Sequence, residues 1–176
     1  SGTTGPSKGA LLTHRNIVFQ GDAFRRIDPQ LALRETDEAL NFLPLCHVAE
    51  RFGGCYNHIA FVHVVNFAEA PDTVRQNLRE VVPNVLLAVP RVWEKLYSGV
   101  TIALKEGTWL GRAAYRAAIG MGTKASPYEL AGKPVPALLR AARAVGNRLV
   151  LKNIRLMLGL DRIRYAATGA APISPD

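Results

Sequence analysis

The run Val85-Leu86-Leu87-Ala88-Val89 is apolar at every position and closes on Pro90. Five such residues ending at a proline read as a fully apolar strand. Ala39 to Leu43, stopped by Pro44, reads as a second buried strand. Val62 to Phe67 and Ile163 to Ala167 complete the set, and Ala10-Leu11-Leu12 adds a short candidate near the start. Helical patterns separate these runs. Thr13 is placed to cap a helix reaching about Arg26, with Ile17, Val18 and Phe24 on its inner side. Residues 48–60 form a helical stretch loosened by Gly53-Gly54. Asp72 can cap a helix through Val81, whose Val74, Leu78 and Val81 recur at helical spacing. Strands alternating with helices predict an α/β fold, a layered and largely parallel sheet flanked by helices.

Residues 91–160 depart from that alternation. Val92, Trp93, Leu96, Tyr97, Val100, Ala103 and Leu104 form one stripe of a helix over 92–106, which makes Trp93 a core residue. Two more helices are expected over 109–121 and 136–151, around a Gly/Pro/Ser-containing link at 122–136. This stretch reads as a helix-rich excursion from the sheet. It is also where the charge sits. The chain carries +8 overall, and between Arg91 and Arg164 fourteen Lys/Arg face only four Asp/Glu, leaving the rest slightly acidic. The asymmetry suits an anionic membrane surface or a phosphate-rich ligand, or else solvated helix faces. No nucleic-acid-binding motif accompanies it, so none is expected as a partner. No apolar run approaches the ~20 residues that span a bilayer. The two cysteines, Cys46 and Cys55, read as free thiols in a reducing cytosol.

Three segments carry chemistry. Residues 1–9 read Ser-Gly-Thr-Thr-Gly-Pro-Ser-Lys-Gly. Gly2, Gly5 and Gly9 allow backbone N–H groups to approach an anion closely. The hydroxyls of Ser1, Thr3, Thr4 and Ser7 add donors, and Lys8 adds a mobile charge. The spacing is not that of the P-loop, because Gly9 stands where Ser or Thr should follow the lysine. Residues 43–51, Leu-Pro-Leu-Cys-His-Val-Ala-Glu-Arg, read as a strand end passing into a helix start. Residues 161–176 run from a strand into Gly169-Ala170-Ala171-Pro172, a turn of small residues at a strand's carboxyl end, where open α/β sheets bind ligands.

SGTTGPSKG followed by Ala10-Leu11-Leu12-Thr13-His14-Arg15-Asn16 resembles the phosphate-binding signature of the adenylate-forming superfamily. LPLxHxxER at 43–51 and VPRVWEKLY at 89–97 are similar to long-chain fatty acyl-CoA synthetases within it, and Gly169–Pro172 resembles the family's G-G/A-A-P segment. The resemblance implies a partial N-terminal, AMP-binding domain over residues 1–176, cut at both ends, whose parent enzyme converts a fatty acid and ATP to acyl-AMP and then, with coenzyme A, to acyl-CoA. It implies phosphate contacts from Ser1, Gly2, Thr3, Thr4, Gly5, Ser7 and Lys8, with Lys8 stabilising charge during catalysis. His47 would border the acyl and nucleotide pockets. Gly169, Ala170, Ala171 and Pro172 would line the adenine, with Gly169 and Ala170 also touching the acyl group. Mg²⁺ would be held by residues outside 1–176, with no metal site inside it, and the enzyme would be cytoplasmic, on the inner face of a membrane if attached at all. A ligase for shorter or aromatic acids, or a non-catalytic nucleotide-binding module, are the competing readings.

Overall fold

The computed structural model describes residues 9–27 and 33–169. Four strands form one parallel sheet: β1 (Glu38–Asn41), β2 (Val64–Phe67), β3 (Val85–Ala88) and β4 (Tyr165–Thr168), in the order β2-β1-β3-β4. Register pairs Ala39 with both Val65 and Val85, and Val85 with Tyr165. Side chains alternate across the pleat, so each strand feeds both faces. Leu40, Leu86 and Ala88 point to a core built with α4 (Val74–Val81), α5 (Pro90–Glu106) and α8 (Lys152–Leu158). Val74, Leu78, Leu96, Val100 and Leu158 close that core. The opposite face is covered by α1 (His14–Ile27) and by a broken helix over residues 48–61.

The amino ends of the strands are fastened by charge. Asp37, nearly fully buried, is paired with Arg164, while Arg162 meets Glu38 at 3.2 Å. Between them the Asn84 side chain accepts from the Glu38 N–H, and the Asn84 carbonyl accepts from the Arg164 N–H. Two arginines of the basic stretch therefore lock β4 to β1 across β3.

Several sequence expectations need correction. Residues 10–12 form no strand, and Leu11 is almost fully exposed, with no neighbouring strand to pair with among the described residues. Thr13 does cap α1: its Oγ1 accepts from the Asn16 N–H, and Asn16 Oδ1 accepts from the Thr13 N–H and hydroxyl. Val18, expected inside, is exposed. Thr73, not Asp72, occupies the cap position of α4, and its hydroxyl closes the 70–73 turn by exchanging bonds with Ala70. The link expected at 122–136 shrinks to 131–136. Helix α6 runs from Trp109 to Leu130 and passes through Pro127, whose missing N–H costs it one i→i−4 bond near its end. The last helical stretch runs on from α7 (Ala137–Gly146) through a π-helical turn at Asn147–Leu151 into α8.

The close packing of α8 on α4 depends on Gly159. Its φ of 73° lies in the left-handed region, and a Cβ there would stand 2.1 Å from the Leu78 carbonyl oxygen. Gly159→Ala should therefore cost roughly 3 kcal/mol of stability or more, since both backbone strain and a backbone clash oppose it. Chemical denaturation checks this, and a change under 1 kcal/mol would contradict the packing described.

Candidate functional site

After β1 the chain crosses to β2 on one side, and then returns to β3 on the other. The crevice outside the carboxyl ends of β1 and β3 is therefore a topological switch point, the place where open parallel sheets take ligands. Three segments leave that edge: 42–47 after β1, Val89-Pro90 after β3, and Gly169 after β4. Gly169 is exposed, and a Cβ there would meet nothing. Ser1 to Lys8 and Ala170 to Pro172 lie outside the described residues. Of the expected site residues, the structure thus places His47 and Gly169 along one edge of the sheet.

His47 is half-buried and caps α2 (Val48–Glu50). Its Nδ1 accepts from the Ala49 N–H at 3.2 Å, so a neutral ring carries its proton on Nε2. That N–H has no partner among the described residues and is available as a donor. Glu50 and Arg51 hold the turn that carries His47. Glu50 Oε2 accepts from the Leu43 N–H at 3.1 Å, and Arg51 Nε donates to the Leu45 carbonyl at 3.1 Å. The Glu and Arg of the LPLxHxxER segment are thus two clamps on a loop, a role the sequence reading did not assign. A carboxylate three residues after a helix cap was the available signal, although here it reaches back beyond the cap.

The helix then widens into a π turn over Arg51–Tyr56 before resuming as α3 (Asn57–Phe61). Such turns often sit at functional sites. Gly53-Gly54 lies inside it, where loosening was expected. Gly54 is required by packing, because a Cβ would stand 1.9 Å from Asn41 Nδ2 at the end of β1. At the exit of β3, Trp93 is packed against the core as expected. Its indole N–H also donates to the Ala88 carbonyl at 3.2 Å, fixing where α5 departs.

Between this broken helix, α1 and the sheet lies a cavity of about 410 Å³. Phe24, Phe52 and Leu87 supply apolar walls, while Asn41, Glu50 and His63 are polar and more than nine-tenths buried. Asn41 Nδ2, Glu50 Oε1 and both ring nitrogens of His63 have no hydrogen-bond partner among the described residues. Burial raises the Glu50 carboxyl above its ordinary range, against the opposing N–H groups of Leu43 and Phe42 and the His47 ring. Burial, reinforced by His58, pushes His63 below its ordinary value, with Asp37 opposing. Among the described residues no group of three or more His, Cys, Asp or Glu could hold a metal ion. Cys46 and Cys55 are free thiols.

The His63 shift has a direct consequence. The unfolded chain binds a proton more readily than the buried ring, so stability is full above about pH 6.5 and falls as the pH drops toward the depressed folded value. Thermal melts of wild type and His63→Gln at pH 7.5 and 5.5 should show a smaller loss on acidification in the variant. Equal losses would contradict the burial argument.

Comparison with known proteins gives a consistent result. A family model described as AMP-binding enzyme matches residues 1–176. A Mycobacterium tuberculosis protein provisionally named fatty-acid–CoA ligase fadD11 is 38% identical over 98% of this chain and 30% of its own length. The long-chain-fatty-acid–CoA ligase ACSBG2 of Gallus gallus is 37% identical over 99% of this chain and 23% of its own, and that of Rattus norvegicus 34% identical over 100% and 26%. The chain thus spans under a third of these relatives' length. Among solved structures, the adenylation domain of a Mycobacterium chelonae carboxylate reductase superposes with a TM-score of 0.48 at 16% identity, over 90% of this chain and 20% of that one.

Proposed function

The chain belongs to the AMP-binding enzyme family, and from that premise we propose that it is part of the AMP-binding domain of a fatty-acid–CoA ligase acting on long-chain acids. The observation that carries the reading is the match of relatives named as fatty-acid–CoA ligases along nearly the whole chain. In the first step a carboxylate oxygen attacks the α-phosphorus of ATP and pyrophosphate leaves. In the second, the thiol of coenzyme A attacks the acyl carbonyl and AMP leaves. Ser1–Lys8 would cradle the departing pyrophosphate, with Lys8 and loop N–H groups meeting the charge that builds on its oxygens. His47, holding its proton on Nε2, would donate toward the substrates from the β1 edge. Gly169–Pro172 would form the wall against which adenine and the acyl carbonyl rest. Mg²⁺ belongs with the phosphates; the described residues offer it no acidic set, and no step is assigned to it. The basic charge would hold the enzyme peripherally at an anionic membrane surface, where its substrate partitions.

Acyl-AMP formation by the full-length protein, measured over acids from short to long, tests this reading. Turnover should rise with chain length, and a preference for short or aromatic acids would refute the long-chain assignment. Lys8→Ala should slow acyl-AMP formation by roughly 10²-fold with little change in stability. An unchanged rate would remove Lys8 from the reaction. Residues 1–176 expressed alone should release no pyrophosphate from ATP above background, because the ribose-binding and metal-holding groups would come from elsewhere in the polypeptide. Release above background would show a self-sufficient unit.

A further inference from the structure

We propose that the outward face of the helix running from Ala137 to Leu158 docks on an anionic lipid bilayer. The inference rests on the membrane reading above and gives it a surface; the adenylation chemistry does not enter.

The helix is continuous through its π turn, and its 22 residues extend about 33 Å at 1.5 Å per residue. Its inner side packs through Gly146, whose Cβ position is 3.3 Å from Ala118 Cβ of α6, and through Ile154, Met157 and Leu158 against the core. The outer side is divided in two. Leu138, Val145, Leu149 and Leu156 are 84%, 57%, 65% and 52% exposed, although nothing about leucine or valine favours water. Beside them Arg148 and Lys152, four residues apart and three or four residues from Val145, Leu149 and Leu156, stack along one ridge of the helix. Both are exposed and make no ion pair or hydrogen bond with the described residues.

The charge pattern selects the occupant. No Asp or Glu occurs from Leu130 to Leu160. Other arginines in this helix are consumed internally: Arg143 pairs with Glu129, and Arg155 with Asn147 and Asp161. Arg148 and Lys152, which border the apolar ridge, pair with nothing among the described residues; Arg140, also without such a partner, lies further round the helix. A second copy of this face would meet it with like charge, which disfavours self-association. An apolar ridge flanked by unpaired cations matches the boundary between acyl chains and anionic headgroups, where helices of this pattern lie in the plane of the membrane. At the tip of the same hairpin, Leu130 is 87% exposed and Lys133 is exposed beside it, continuing the pattern beyond the helix.

Co-sedimentation of the full-length protein with phosphatidylglycerol-containing and with pure phosphatidylcholine vesicles tests the assignment. Binding should favour the anionic vesicles and weaken as salt shortens the screening length. The double variant Arg148→Gln, Lys152→Gln should bind about 30-fold more weakly, and Val145→Ser with Leu149→Ser about tenfold more weakly. All four positions are solvent-exposed, so circular dichroism should be unchanged. Wild-type affinity in both variants, equal binding to both vesicle types, or no vesicle binding at all overturns the proposal. So does loss of binding to heparin without loss of lipid binding, which would make the face a site for a soluble polyanion. Acyl-AMP formation from a long-chain acid presented on albumin, assayed without vesicles in the same preparations, keeps the two readings apart: its absence from wild type would fault the ligase reading and leave the lipid result standing.

Discussion

The site depends on a single strand being shared. β1 gives one edge to β2 and the other to β3, and the chain reverses direction across the sheet at that point. Parallel pairing makes every strand end at the same edge, so the 42–47 turn and Gly169 leave the sheet along one edge, with the end of β3 between them. The reversal leaves a crevice because the two connections depart to opposite sides of β1. The other end of the sheet is the opposite in character. There Asp37–Arg164 and Arg162–Glu38 close the amino ends, so that the carboxyl edge is the one left open to a ligand.

The segment after β1 shows how a short motif earns its pattern mechanically. His47 turns the chain by capping α2, Glu50 ties the helix back to Leu43, and Arg51 ties it to Leu45. Gly54 then lets the helix pass against Asn41 with no Cβ between them. The four residues convert a loop at a strand end into a fixed platform for one imidazole. The carboxyl of Glu50 remains buried with a raised proton affinity, and the cavity beside it retains polar atoms that solvent or a ligand must complete.

Much of the frame was legible in the residues themselves. Val85–Val89 announced a strand, since nothing polar interrupts it, and Val85–Ala88 are where β3 lies, although Leu87 is left partly open on the cavity side. Helix ends were less legible. Pro127 suggested a break, yet the helix continues through it to Leu130 at the loss of one i→i−4 bond near its end. Leu11 looked like strand material because propensity ignores whether a partner strand exists. The clamps at Glu50 and Arg51 stayed hidden because their partners are backbone atoms, which carry no signature in side-chain sequence. The phosphate loop and the Gly-Ala-Ala-Pro turn were readable only through resemblance: glycine and hydroxyl residues alone specify no ligand. Separating the outer face of residues 137–158 into an apolar and a basic ridge required knowing which side packs against α6.

The central claim is that this chain serves a reaction in which a carboxylate oxygen becomes bonded to the α-phosphorus of ATP. Palmitate labelled with ¹⁸O in both carboxylate oxygens, supplied to the full-length protein with ATP and coenzyme A, tests that bond directly. Attack on phosphorus followed by thiolysis at the acyl carbon must leave one labelled oxygen in AMP, and mass spectrometry should find it there. Unlabelled AMP, or ADP and phosphate in its place, would contradict the account.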